Sequence, residues 1–229
     1  TFHPVHCIGT TDAASYISFG EAIPCGTVSE QDPAIGTGST VYKDGVYYTF
    51  YTGHKSNATS DQTKEAVLVA TSTDFKTWKK DRSFRLDAPG GYSSDDFRDP
   101  HVFYDEDARI YRMLICTKRG GTAVIAQFTS TDLVSWTVTE PFFHTVWGRF
   151  YECPDVFKMG NYWYMIYSDK DITRQVQYFY APTLEELQRM GDANFPPNEG
   201  KLEGTAYYAA KTDSDGTNRY ARGWRCTRN

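Results

Sequence analysis

The chain has 229 residues, 40% of them hydrophobic and 23% charged, which suffices for one sizeable core and is too few to promise two. Its 24 basic and 29 acidic side chains leave a net charge of -5, with no Lys/Arg-rich run to follow a phosphate backbone and no apolar stretch of membrane-helix length, so neither nucleic acid nor a membrane is expected as a partner. The 17 Tyr, 14 Phe and 5 Trp favour a β-rich protein, and five Cys without a CxxC pair indicate neither a disulfide framework nor a zinc site.

In chain order, Thr10-Thr11-Asp12 through Tyr16 is a faint first copy of a phrase that returns as Thr71-Ser72-Thr73-Asp74-Phe75-Lys76-Thr77-Trp78 and as Thr129-Ser130-Thr131-Asp132-Leu133-Val134-Ser135-Trp136. The shared Asp is expected to cap an outer turn with its side chain. Ser39 to Tyr51 reads as a hairpin about Lys43-Asp44-Gly45, and Glu65 to Ala70 as a third strand. The same order recurs: Pro100-His101-Val102-Phe103 and Tyr111 to Ile115, a turn at Arg119-Gly120-Gly121, then Thr122 to Phe128. Pro154 to Tyr167 repeats the hairpin about Met159-Gly160-Asn161, Thr183 to Met190 predicts a short helix with a Thr cap and Glu186 placed for a capping box, and Ala206 to Trp224 is a degenerate last copy. Four strands per unit of roughly 50 to 60 residues predict an all-β protein of the β-propeller type. A β-sandwich has no reason to repeat at this period.

In a propeller the first residues of successive inner strands converge on one funnel. Aligning Val102 with Val156 sets Asp99 opposite Cys153 and Arg98 opposite Glu152, at equivalent strand starts. Asp99 and Glu152 are then candidates for the paired acids of glycosidic cleavage. Asp155 is expected on the opposite face from Glu152 as a sheet-anchoring acid, and Asp32 in a solvated loop. Trp147 and Phe150 are candidate walls of a sugar site or core residues. His3 and His6 lack a third metal ligand, and no phosphate-binding glycine motif is present. No metal and no cofactor are expected.

Asp96-Phe97-Arg98-Asp99-Pro100 resembles the RDP motif, and Tyr151-Glu152-Cys153-Pro154-Asp155 the EC motif, of glycoside hydrolase family 32, which contains invertases, inulinases and levanases. Gly36-Thr37-Gly38-Ser39 is similar to that family's second-blade entrance, Tyr51-Thr52-Gly53 to the strand end that follows, and Arg222-Gly223-Trp224 to its fifth-blade Gly-Trp. The resemblance implies a five-bladed propeller that cleaves β-fructofuranosyl bonds of sucrose or fructans with retention; the alternatives are a catalytically silent carbohydrate-binding propeller and a related propeller glycosidase that acts on arabinosyl or xylosyl substrates by inversion. Glu152 would be the acid/base and Asp99 the transition-state stabiliser that holds fructose hydroxyls. Arg98, Ser39, Cys153, Trp147 and Trp224 would bind substrate, with Arg98 also orienting the carboxylates.

One departure stands out. The family's nucleophile is an Asp in a Trp-Met-Asn-Asp-Pro-Asn-like phrase, and no such phrase occurs in this chain. His3 to Asp12 resembles a later part of the first blade, so the nucleophile is expected to be absent from residues 1–229, with first and last blades incomplete. A single partial propeller domain without an appended β-sandwich is expected, and self-association through unpaired blade edges with it.

Overall fold

The computed structural model describes residues 4–225 except 13, 146–147, 172–173, 193–194, 196 and 203–205. The chain divides into two compact units, Thr1–Val102 and Phe103–Asn229.

In the first unit, β1 (Val5–Gly9) pairs with β2 (Ile17–Ile23). The next sheet holds β3 (Ala34–Lys43), β4 (Val46–His54), β5 (Glu65–Ser72) and β6 (Lys79–Lys80) in sequential order. The hairpin of β3 and β4 closes at Asp44 and Gly45, whose φ of 49° and 86° are both left-handed. A two-residue loop of this hand matches the twist of the flanking strands. The edge strand β6 consists of two lysines, a composition that discourages pairing with another chain. Cys7, Ile23, Ile35, Tyr51 and Ala70 form the core here, with Leu68 and Trp78 packed against it. β7 (Tyr92–Asp105) carries the chain to the boundary of the unit.

The second unit takes the end of β7 with β8 (Ile110–Arg119), β9 (Thr122–Ser130), β10 (Thr137–Val138) and β11 (Phe143–His144). The order is β10-β9-β8-β7, and β11 also pairs with β9, so two short pieces share the outer edge. β12 (Tyr151–Met159), β13 (Tyr162–Asp169), β14 (Val176–Ala181) and β15 (Glu199–Lys201) form the next sheet, and β16 (Tyr207–Ser214) pairs with β17 (Arg219–Arg225). Between β14 and β15 lies α1 (Leu184–Arg189), where the Thr183 hydroxyl accepts the Glu186 N–H and Leu187 turns into the core. That core is aromatic. Tyr167 and Phe179 stack at 5.0 Å between ring centres, and Phe143 stacks on Phe179 at 5.3 Å, which adds geometric preference to simple burial.

The Ser-Thr-Asp phrase folds as its chemistry predicts. The Asp74 carboxylate accepts the N–H groups of Lys76 and Thr77 at 2.8 and 2.7 Å and the Ser72 hydroxyl at 2.9 Å. Asp132 repeats this with Val134, Ser135 and Ser130, and Asp12 takes the N–H groups of Ala14 and Ser15. In the two full copies a left-handed residue follows, Phe75 and Leu133, and the indole N–H of Trp78 or Trp136 donates to its carbonyl. The strand beyond this turn is shorter than expected, two residues in both β6 and β10.

Candidate active site

The expected site residues fall in both units. In the first unit, Arg98 and Asp99 lie on β7 and Ser39 on β3. Asp99 is 4% exposed and has φ of 59°, a conformation that costs a residue with a Cβ about 1 to 2 kcal/mol. Its N–H donates to Thr52 Oγ1 at 2.8 Å, and that buried hydroxyl in turn donates to the Thr37 carbonyl at 3.0 Å. The register of β3 against β4 slips between Ile35 and Gly38. Gly38 is required there, since a Cβ would stand 2.1 Å from the Phe50 carbonyl oxygen. The Ser39 hydroxyl donates to the Pro100 carbonyl at 2.9 Å and accepts the Val102 N–H at 2.8 Å, so it stitches β3 to β7.

Arg98 donates through Nη1 to Glu65 Oε2 at 3.0 Å and to Asp96 Oδ1 at 2.8 Å. Glu65, 5% exposed, also accepts the Phe97 N–H at 2.9 Å and faces His54 Nδ1 at 3.1 Å. Sequence reasoning missed Glu65. The available signal was an acid opening an otherwise apolar strand, Glu65-Ala66-Val67-Leu68-Val69-Ala70. In a buried site such an acid needs partners, and Arg98 and the β7 backbone supply them.

Asp32 differs from expectation. It is 3% exposed rather than solvated, with Tyr51 Oη donating at 3.0 Å and Lys80 Nζ at 2.5 Å. A carboxylate can be buried here because a cation and a hydroxyl replace its water. Burial first, and the Asp32 charge second, push the Tyr51 phenol well above its ordinary range, so it stays a neutral donor.

In the second unit, Glu152 stands at the start of β12 with its side chain 17% exposed. Tyr208 Oη on β16 donates to Glu152 Oε2 at 2.5 Å, and Lys170 Nζ lies 3.9 Å from Oε1. Cys153 follows in the left-handed conformation, φ 53°, and is 4% exposed. The register slips by one residue between Glu152 and Asp155, so the count by alternate residues that set Asp155 opposite Glu152 does not carry across this bulge. Asp155 is 1% exposed and accepts the Thr212 N–H at 2.5 Å, which anchors β16 to β12. Phe150 is 4% exposed and belongs to the core, with the ammonium groups of Lys118 and Lys170 at 5.6 and 5.3 Å from its ring centre. Trp224 is 70% exposed on β17, opposite Tyr208 in the register. Trp147 lies outside the described residues.

Asp99 and Cys153, aligned on sequence, thus share one backbone conformation, and Ala209 on β16 shares it too, at φ 54°. The Ala209 N–H donates to a buried hydroxyl, Ser168 Oγ, at 2.8 Å, as that of Asp99 does to Thr52. The residues just before these three are Arg98, Glu152 and Tyr208. Tyr208 is the second residue that sequence reasoning missed, because it sits in the degenerate last copy.

Residues 6–227 match the family model described as the glycosyl hydrolases family 32 N-terminal domain. The chain belongs to glycosyl hydrolase family 32. A levanase from Bacillus sp. (strain L7) is 34% identical over 122 residues, covering 49% of this chain and 12% of the levanase. Raffinose invertase of Escherichia coli is 29% identical over 137 residues, covering 58% of this chain and 28% of the invertase. Among solved structures, the family 32 β-fructofuranosidase of Bombyx mori in complex with sucrose matches with a TM-score of 0.77 at 18% identity, over 96% of this chain and 48% of that one. The family 32 fold is therefore the fold of this chain: an all-β, five-bladed β-propeller, in which the two-stranded sheets β1–β2 and β16–β17 are incomplete blades among the described residues. The chain spans less than half the length of each of these three relatives.

Proposed function

We propose that this chain is part of a glycosidase that cleaves β-fructofuranosyl bonds of sucrose or fructans with retention of configuration. Glu152 carries the reading. Asp155 and Asp169, its neighbours on β12 and β13, are 1% and 0% exposed and are bonded to Thr212 and Arg149, whereas the Glu152 side chain is 17% exposed. An acid placed in this way is suited to protonate a leaving-group oxygen and afterwards to take a proton from water. Asp99 is assigned to the fructose hydroxyls and the transition state, with Arg98 holding the carboxylates around it. Ser39, Cys153, Trp147 and Trp224 are assigned to substrate binding. Retention also requires a carboxylate nucleophile, and none of the residues given a role here supplies it. Family membership supports the substrate class, as do the activities for which the relatives are named.

The test is Glu152→Gln, assayed on sucrose, inulin and levan and on a fructoside with an activated leaving group. Loss of about 10² to 10⁴-fold on the natural substrates, with the activated one partly spared, is expected for an acid catalyst. Equal residual activity on both would sink the assignment. A catalytically silent propeller, the alternative reading, predicts fructose binding by the natural polypeptide without release of reducing sugar.

A further inference from the structure

Two cavities adjoin in the first unit, on residues to which no part in cleavage is assigned. One, of about 290 Å³, takes its apolar lining from Tyr51, Leu68 and Phe84 and its charged lining from residues that include Asp32, Lys80 and Arg82. The other, of about 260 Å³, is lined by Lys55, Asp61 and Gln62 among others, and Gln31 and Arg85 border both. Each volume lies near the small end of the range of ligand sites, about 300 to 1,000 Å³, a size for one sugar ring rather than a dinucleotide. The walls are held in place beforehand. Gln31 Nε2 donates to the carbonyls of Gly53, Thr63 and Lys64 at 3.2 to 3.3 Å. The Glu30 carboxylate accepts the Thr27 N–H at 2.7 Å and pairs with Arg82, and Phe84 stands edge-on to Phe50 at 5.6 Å between ring centres.

The charges of the first cavity are already matched. Lys80 faces Asp32 at 2.5 Å, Arg82 faces Glu30, and Arg85 faces Asp87 at 2.8 Å. An anion could win one of these cations only by taking it from its carboxylate, so phosphate is disfavoured. Hydrogen-bonding capacity nevertheless remains. An ammonium carries three donors and a guanidinium five, whereas among the described residues Lys80 gives one to Asp32 and Arg82 one to Glu30. Gln31 spends its amide N–H groups on carbonyls, and its Oε1 is left as an acceptor between the two cavities. A fitting ligand is therefore neutral, bears groups that both donate and accept, and lays C–H surface on Tyr51, Leu68 and Phe84. Sugar hydroxyls and sugar rings meet these terms, and two cavities with a common border suit two successive rings. We propose that this pair of cavities is a second glycan site, which takes a neutral oligosaccharide of two or more units on residues separate from the carboxylates assigned to cleavage.

The experiment follows amide exchange in the natural polypeptide carrying Glu152→Gln, so that the sugar is not consumed, with inulin oligosaccharides as the neutral probe and inorganic phosphate as the anionic one. Residues 27–33, 55–64 and 79–86 are expected to gain protection with the oligosaccharides and none with phosphate. Adding Lys80→Met should raise the concentration for half-maximal protection of these segments about ten- to hundredfold, the scale of one lost hydrogen bond to a charged group. The corresponding concentration for residues 150–159, around the acid, should not move. Lys80→Met also strips the buried Asp32 of its cation. Should it fold poorly, the double variant Asp32→Asn/Lys80→Met removes both charges together and is expected to weaken binding to the same extent. The proposal is overturned if the oligosaccharides leave the three segments unprotected, if phosphate protects them, or if neither variant weakens the protection. None of these readouts is turnover, so the glycan site stands or falls apart from the cleavage reading.

Discussion

Asp99, Cys153 and Ala209 hold a conformation that glycine adopts more easily, and none of them is glycine. At Asp99 the role proposed for the carboxyl in the sugar site would account for the cost. The Thr52 hydroxyl stabilises the arrangement, and it is 1% exposed with the Asp99 N–H on one side and the Thr37 carbonyl on the other. Thr52→Val keeps the shape and removes both bonds, leaving a buried donor without its partner. A loss of about 1 to 3 kcal/mol is expected, read as a lower urea midpoint at unchanged slope, and Thr52→Ser should restore most of it. Such residues are invisible in the sequence for a definite reason. A left-handed Asp, Cys or Ala carries no compositional mark, whereas Asp44-Gly45 and Gly120-Gly121 announce their turns. Asp32 is misplaced by sequence reasoning on similar grounds: its partner Lys80 is 48 positions away, and only the folded sheet makes the two neighbours.

The elements themselves are far more legible. Alternation and turn chemistry locate the hairpins at Asp44-Gly45, Gly120-Gly121 and Gly160-Asn161, and the Thr183 cap locates α1. The Ser-Thr-Asp phrase specifies its capping turn through local chemistry alone, since the carboxylate and the N–H groups it accepts lie within three residues of each other. These acids give a pH dependence. Hydrogen bonds from the Ser15 and Ala14 backbone hold the Asp12 carboxyl down at about 2, and backbone bonds from Thr77 and Lys76 hold Asp74 lower still. A depressed folded-state value means that the contribution is complete above the unfolded value near 4 and disappears as pH falls towards 2. Thermal melts between pH 6 and 2 should therefore show stability lost mainly below pH 4. Replacing Asp12, Asp74 and Asp132 together by Asn should flatten that acid limb, and an undiminished limb would place the acid sensitivity elsewhere.

Over the whole molecule, the repeat predicts the kind of sheet, the family resemblance supplies the number five, and the match of residues 6–227 to the family agrees with both. What the repeat does not predict is how unevenly the sheets are secured. β8 and β13 have a partner on each side and are largely buried. β1 and β2 pair only with each other among the described residues, and Ile8, Ile17 and Phe19 are 51%, 68% and 49% exposed. A two-stranded pair is marginal unless something packs on it. Amide exchange should accordingly be faster in Ile17–Ile23 than in Ile110–Arg119. In the other two-stranded sheet, Ala209 and Thr212 should exchange more slowly than the amides of β17, because Ser168 and Asp155 hold them. Equal rates across these segments would contradict this ordering.

The indole that closes the first full capping turn has a spectroscopic consequence. Of the five tryptophans, Trp78 alone falls within residues 1–102, and its N–H bond to the Phe75 carbonyl exists only while the turn is intact. Subtracting the emission of a Trp78→Phe protein from that of the natural sequence therefore isolates light from the first unit. The same protein then reports, with no label added, whether its two halves lose structure in one transition or in two.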